Sequence, residues 1–256
     1  MSRAPLGIMA ALHDEIAGLL AHMGAEAECR RIGMRDYYIG HLYGQPCVLV
    51  LARIGKVAAA ATTVTLIREF GVRALLFTGL AGGIAPGVNV GDVAIADTLV
   101  HHDLDARPLF PQYEVPLLGL SRLATDTRMN GVLAQCAVDY LALGMPSDVN
   151  ARTRDLFAIN APTLHRGLVA SGDRFISEPA LSAALHAALP DTLCVEMEGA
   201  AVAQVCHEYE LPCAVLRTVS DRADTAAPVD FAAFLDRVAS HYSSGIVSRF
   251  VQAYTE

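Results

Sequence analysis

A chain of 256 residues that is 53% hydrophobic and 18% charged has enough apolar material for one large core and too little polarity for a disordered or fibrous protein. Its 27 acidic residues outnumber 19 basic ones, for a formal net charge of −8, and no cluster of Lys or Arg interrupts that excess. A surface built to hold nucleic-acid phosphates is therefore not expected. Nothing between the ends reads as a linker, so residues 1–256 are expected to form a single domain.

The first element is a short apolar strand, Leu6–Ala11, followed by helical spacing over Asp14–Met23 that puts Asp14 and Glu15 in the helix's first turn. The apolar stretch Pro5–Leu12 is cut off by His13, Asp14 and Glu15, too short for a signal-peptide core or a membrane span. A soluble, cytoplasmic protein with no membrane partner is the expectation. Tyr37–Leu42 and Cys47–Ala52 flank Tyr43-Gly44-Gln45, a hairpin signal, and Gly55 opens an alanine-rich helix over Lys56–Phe70. Lys56 is the only lysine, a bias consistent with a GC-rich coding sequence.

A buried strand, Ala74–Thr78, runs into the glycine-rich turn Gly79–Gly87, and Gly91–Val100 is a further strand. The loop His101–Pro116 carries Pro108, Phe110, Pro111 and Tyr113, and its length and aromatic content suggest a lid or an interface. A helix is expected around Met129–Leu143, then a strand over Arg166–Ser171, the turn Gly172-Asp173 and a helix over Glu178–Leu189. Leu193–Val195 reads as a strand, followed by an amphipathic helix, the β-branched strand Cys213–Val219 and a closing helix from Phe231 to Tyr254. Strands alternating with helices, with one hairpin inserted, predict an α/β fold, a sandwich around a mixed sheet. The six cysteines lack CxxC spacing and sit largely in apolar contexts, as buried free thiols of a reducing compartment do.

Three carboxylates, Glu15, Glu198 and Asp221, each fall just beyond the end of a strand, where open α/β sheets bind ligands. A surface acid complementing a helix dipole accounts for Glu15 equally well, and a cap or Asx turn for Asp221. Glu196 and Glu198 are flanked by hydrophobic residues, where an acid needs a partner, and Arg217 inside its apolar strand is the available counter-charge. The run Gly79–Gly87 fits neither GxxxxGK[ST] nor a GxGxxG helix opening, so it reads as a tight turn or as backbone free to approach a ligand. His101-His102-Asp103 lacks a metal-site pattern and reads as a hydrogen-bonded loop pair, and no serine or cysteine has nucleophile spacing.

In order along the chain, Gly7–Ile16, Ile54–Ala60, Thr78–Gly83, Ser171–Ile176, Val195–Gly199 and Arg217–Asp221 resemble successive motifs of the nucleoside phosphorylase superfamily, and are closest to its 5′-methylthioadenosine/S-adenosylhomocysteine nucleosidase branch. The resemblance implies a three-layer α/β/α sandwich with a central mixed β-sheet, a homodimer whose neighbour completes the tail pocket, a small-molecule nucleoside substrate, and no cofactor or metal. It implies hydrolysis of an N-glycosidic bond. Glu15 would activate water, Asp221, positioned by Ser220, would protonate adenine at N7, and Arg217 would orient water and carboxylate. Glu198 and the Met197 backbone would hold the ribose and Phe175 would stack on the base, whose edge the Ile176 backbone would read. Ile54, Ala81 and Gly82 would line the substrate, and Phe110 and Tyr113 correspond loosely to the tail pocket.

Leu80 stands where that branch has Ser or Thr, and Arg53 where it has a small residue, suited either to a strand end or to a substrate's acidic tail. Phosphorolysis is the nearest rival reading, since the same fold can present phosphate, but Glu15 would repel that anion. A nucleosidase for another adenosyl or futalosine-like nucleoside, and a non-catalytic nucleoside-binding protein, are the others.

Overall fold

A computed structural model describes residues 3–24 and 27–255. In chain order, β1 (Leu6–Ala10) leads through a 3-10 turn, His13–Glu15, into α1 (Ala17–Met23). The hairpin strands β2 (Glu28–Ile32), β3 (Arg35–Leu42) and β4 (Gln45–Leu51) precede α2 (Lys56–Phe70), β5 (Ala74–Gly83), β6 (Val93–His101) and β7 (Leu123–Ala124). Next come α3 (Thr127–Asp139), α4 (Met145–Asp148), α5 (Ala151–Leu156), β8 (Leu164–Ser171), α6 (Pro179–Ala188) and β9 (Thr192–Glu196). The chain ends with α7 (Gly199–Glu208), β10 (Cys213–Asp221), α8 (Ala227–Phe234) and α9 (Ser240–Ala253).

Period-two side-chain alternation sorts the core onto two faces. Leu6, Ile8 and Ala10 of β1, Leu76 of β5 and Leu216 of β10 pack with α1, α3 and α9, while Met9, Leu75, Phe77 and Val215 pack with α2 and α7. Each fully buried Leu or Phe contributes about 1.5–3 kcal/mol, so both helical layers are held by apolar burial. This is the expected α/β/α sandwich around a mixed sheet.

The sheet does more than lie open. β5 pairs in parallel with β1 and β10, β10 runs antiparallel to β6, β6 and β8 and β8 and β9 are parallel pairs, and β9 returns antiparallel to β5. Five strands thus form a closed ring, from which β1, β4, β3 and β2 extend as a wing. The β9 to β5 pairing involves only Val195 with Gly82 and Cys194 with Gly83. Carboxyl ends of strands running in opposed directions therefore overlap, and the segments that follow them converge.

Several boundaries differ from the sequence expectation for physical reasons. β5 continues through the glycines to Gly83, because β10 and β9 supply its backbone partners there. β2, with a largely exposed Glu-Cys-Arg-Arg-Ile sequence, lacks the alternation that marks a strand and exists through pairing with β3. The helix expected over Met129–Leu143 starts at Thr127, capped by Asp126 on Met129 N at 2.7 Å, and widens to a π-turn over Tyr140–Gly144. The closing helix is likewise divided, with a π-turn at Leu235–Ala239 between α8 and α9.

Candidate active site

Glu15 is buried immediately beyond β1. Its Oε2 accepts hydrogen bonds from the Ala11 and Leu12 N–H groups at 2.9 and 2.8 Å, and its Oε1 accepts one from Leu80 N at 3.1 Å. Burial raises its pKa, opposed by these N–H groups and by the positive charge of Arg217. The dipole-complementing surface acid is therefore not what this residue is. Leu80 contacts Glu15 through its backbone N–H, and its buried side chain adds an apolar wall.

Asp221 is the last residue of β10 and is also buried. Ser220 Oγ donates to its Oδ2 at 2.8 Å and Ala223 N to its Oδ1 at 2.9 Å. Burial drives its pKa up against these two donors, with the charges of Asp230 and Asp224 adding to the rise. A carboxyl kept toward its protonated form and held in one rotamer is suited to giving up a proton.

Glu196 and Glu198 divide into a paired and an unpaired acid. Arg217 Nη2 donates to Glu196 Oε2 at 2.5 Å, Gly199 N reaches the same carboxylate at 2.8 Å, and Ser171 Oγ donates to Oε1. Glu198 Oε1 accepts from Gly55 N at 2.8 Å. Burial and the neighbouring Glu196 charge push the Glu198 pKa up to about 8, outweighing Arg217. One guanidinium serves three buried acids and is taken most directly by Glu196.

Two glycines of β5 make room for this charge. A Cβ on Gly79 would stand 3.0 Å from both Arg217 Nη1 and Glu15 Oε1, and one on Gly82 would stand 2.8 Å from Asp221 Oδ1. These contact points are three residues apart on one strand, roughly 10 Å. Glu15 and Asp221 therefore flank a space that a substrate can enter, and are not a dyad sharing one proton.

That space is a cleft of about 120 Å³. Glu15, Ile54, Leu80, Ala81, Gly82, Phe175, Ile176, Met197, Glu198 and Asp221 all line it. Phe175 is 41% exposed, an open aromatic face whose edge meets Phe231 at 5.8 Å between ring centres and 76° between planes. Arg217 and Ser220 lie behind the lining residues, each bonded to a carboxylate that does line it. Phe110 and Tyr113 are not brought to the cleft within one chain. Tyr113 packs on the cluster that contains Ile176, and Phe110 is half-buried in its own loop.

The sequence did not single out Phe231, Ala11, Leu12 or Arg174 for the site, though all four line the cleft. Their contributions are a ring edge, backbone donors and a rim cation bonded to Glu178, none of which has a distinguishing residue pattern. Arg53, by contrast, donates to Met34 O at 2.7 Å away from the cleft, at a positive φ of 71°. His101 bonds Gln204 Oε1 at 3.1 Å and Asp103 bonds Lys56, so the His-His-Asp run is a structural part of its loop. Among the described residues, no helix is long and apolar enough to cross a membrane.

Comparison with known proteins agrees with this arrangement. The chain is 34% identical over 239 residues to a 5′-methylthioadenosine/S-adenosylhomocysteine nucleosidase of Anoxybacillus flavithermus, covering 93% of this chain and 94% of that one. Its fold matches the nucleosidase of that name from Neisseria meningitidis in complex with methylthio-immucillin-A, with a TM-score of 0.84, 33% identity and coverage of 98% and 99%. It also matches the futalosine hydrolase of Helicobacter pylori, with a TM-score of 0.82, 29% identity and 96% coverage of each chain. The family profile described as the phosphorylase superfamily matches residues 5–252. With the ordered motifs, the mixed sheet and the cleft at its converging strand ends, this match means that the chain belongs to the phosphorylase superfamily.

Proposed function

We propose that this chain hydrolyses the N-glycosidic bond of a 5′-modified adenosine of the methylthioadenosine or S-adenosylhomocysteine type and releases adenine, acting as a purine nucleosidase. The observation that carries the reading is the placement of Glu15 and Asp221, two buried carboxylates with raised pKa values, on separate parts of one cleft. Cleavage at C1′ leaves an oxocarbenium-like sugar and a purine anion, so it needs an acid at the base and a carboxylate to take a proton from water. The wide spacing follows the two-carboxylate logic of inverting glycosidases, in which water fits between base and sugar.

In this reading Glu15 is the general base. Burial raises its pKa, while three backbone donors favour the ionised form that takes the proton. Asp221 carries the proton for the purine and Ser220 fixes its orientation. Glu198 and the Met197 backbone hold ribose hydroxyls, Phe175 stacks on the base and the Ile176 backbone reads its edge. Arg217 stabilises the acids from behind through Glu196, and Ile54, Ala81 and Gly82 complete the wall.

Water, not phosphate, is the proposed nucleophile. Glu15, Glu196, Glu198 and Asp221 dominate the polar lining, and both arginines near it are engaged by carboxylates, Arg217 by Glu196 and Arg174 by Glu178. Neither guanidinium is therefore free to clamp an inorganic anion, and the ionised Glu15 repels one. We further assign the chain to a single domain, a homodimer in which a neighbour's loop closes the tail pocket, and a cytoplasmic role in methionine salvage.

The deciding experiment follows adenine release from methylthioadenosine by absorbance in phosphate-free buffer. Release without phosphate is expected, and strict phosphate dependence overturns the hydrolase reading. S-adenosylhomocysteine, 5′-deoxyadenosine and a futalosine-like nucleoside in the same assay rank the 5′ substituent.

A further inference from the structure

Two segments that border the cleft and the loop after β6 are tied together by side chains that do not line it. Lys56 opens α2, Asp103 stands in the loop after β6, and Asp173 begins the segment that carries Phe175 and Ile176. Lys56 Nζ donates to Asp103 Oδ1 at 2.5 Å, Asp173 N donates to Asp103 Oδ2 at 2.9 Å, and Lys56 N donates to Asp173 Oδ1 at 2.8 Å. The three contacts close a ring. The neighbouring Gly55, held at a φ of 99° that favours glycine, gives its N–H to Glu198.

The residue at the centre of this ring is placed against local electrostatics. A cation in the first turn faces the positive end of the helix dipole, which disfavours it. Two carboxylates, Asp103 at 2.5 Å and Asp173 at 3.9 Å, offset that disadvantage. Burial pushes the Asp103 carboxyl up, yet Lys56 and the Asp173 N–H hold it below its ordinary value, so the ion pair is formed at neutral pH. Lys56 is also the only lysine among 19 basic residues. The compact ammonium donates to Asp103 and keeps Asp173 within ion-pair distance from a single point, which the planar fork of arginine does not do.

We propose that Lys56 and Asp103 are positioning residues for base recognition: acting through Asp173, they fix where Phe175 and Ile176 stand relative to Glu198. The inference rests on the nucleosidase reading. It makes the loop after β6 a structural support of the base-binding wall, in addition to any part it plays at the 5′ end.

The test compares wild type, Lys56→Met, the isosteric Asp103→Asn and the double variant. Steady-state kinetics on methylthioadenosine and calorimetric titration with adenine are measured alongside thermal midpoints. Each single change is expected to raise KM and the adenine Kd roughly three- to tenfold while kcat stays within about twofold, the pattern of lost positioning for binding. The double variant is expected to be no worse than the worse single one, because both break one ring. Arg122→Met, which removes an exposed pair with Asp191 away from the cleft, serves as the control and leaves both constants unchanged. Unchanged KM and Kd in Lys56→Met and Asp103→Asn, additive effects, or an equal shift in Arg122→Met overturn the ring while a cleaving wild type preserves the nucleosidase reading. A wild type that releases no adenine overturns both.

Discussion

Arg217 Nη2 lies 2.5 Å from Glu196 Oε2 with both side chains almost wholly enclosed, and the guanidinium carbon stands 4.0 Å from the centre of the Phe77 ring. The charge of Arg217 is thereby committed to the wall behind the cleft. It influences Glu15 and Glu198 through space, while Glu196 holds it directly. A buried pair of this kind is costly to break from one side, because the remaining charge has nowhere to go.

Arg217→Met or Glu196→Gln alone is expected to destabilise the fold by about 3–5 kcal/mol. The double substitution is expected to lose clearly less than the sum of the two. Urea unfolding of the three variants checks this, and strict additivity would mean that the pair is not a unit.

Asp221→Asn and Glu15→Gln are expected to fold normally and to lose at least about two orders of magnitude in kcat, the usual worth of a placed acid or base. Adenine release under saturating substrate measures it. Near wild-type turnover in either variant would remove that residue from the mechanism.

The raised pKa of Glu198 has a definite sign for stability. Its ordinary value of 4.5 becomes about 8 in the fold, so the folded state prefers the protonated carboxyl. That contribution is fully present below about pH 4.5 and is lost as pH rises through about 8. Wild-type stability should therefore fall relative to Glu198→Gln between pH 5 and pH 8. Parallel curves for the two proteins in denaturant titrations across that range would show that Glu198 does not titrate there.

Gly82→Ala puts a methyl 2.8 Å from Asp221 Oδ1 and 3.1 Å from Ala223 Cβ. Stability is expected to drop by about 1–3 kcal/mol, as overpacking does. Because the carboxylate itself must move, kcat should fall more than KM rises. A variant with full kcat would show that the strand end yields without displacing Asp221.

Arg53→Gly tests whether that side chain serves an acidic substrate tail. Its bond to Met34 O and its place outside the cleft predict equal KM values for wild type and variant with S-adenosylhomocysteine. A selective rise in KM for that substrate alone would return Arg53 to the site.

Much of this was legible along the chain. Leu6–Ala10, Ala74–Phe77 and Cys213–Val219 alternate between two apolar faces because neighbouring side chains of a strand point opposite ways, and that is a local property. The positions of Glu15, Glu198 and Asp221 near strand ends followed from the same local pattern, and the ordered motifs supplied their proposed roles. Less visible were Phe231 against Phe175, the Ala11 and Leu12 N–H groups on Glu15, and the strand character of Gly79–Gly83. Backbone donors carry no residue signature, and glycine reads as a turn unless its strand partners are known.

By itself, then, the sequence determined an acidic, core-forming α/β chain with its carboxylates at strand ends, because periodicity and charge are written residue by residue. Only the tertiary structure decided which acid meets which partner. The closure of β5, β10, β6, β8 and β9 into a ring overlaps opposed strand ends and brings Arg217 to Glu196, while the segment after β4 of the wing brings Gly55 to Glu198 and Lys56 to Asp103. Those pairings join segments far apart in the chain, and hydrogen-bond geometry and burial exist only once the segments are packed together.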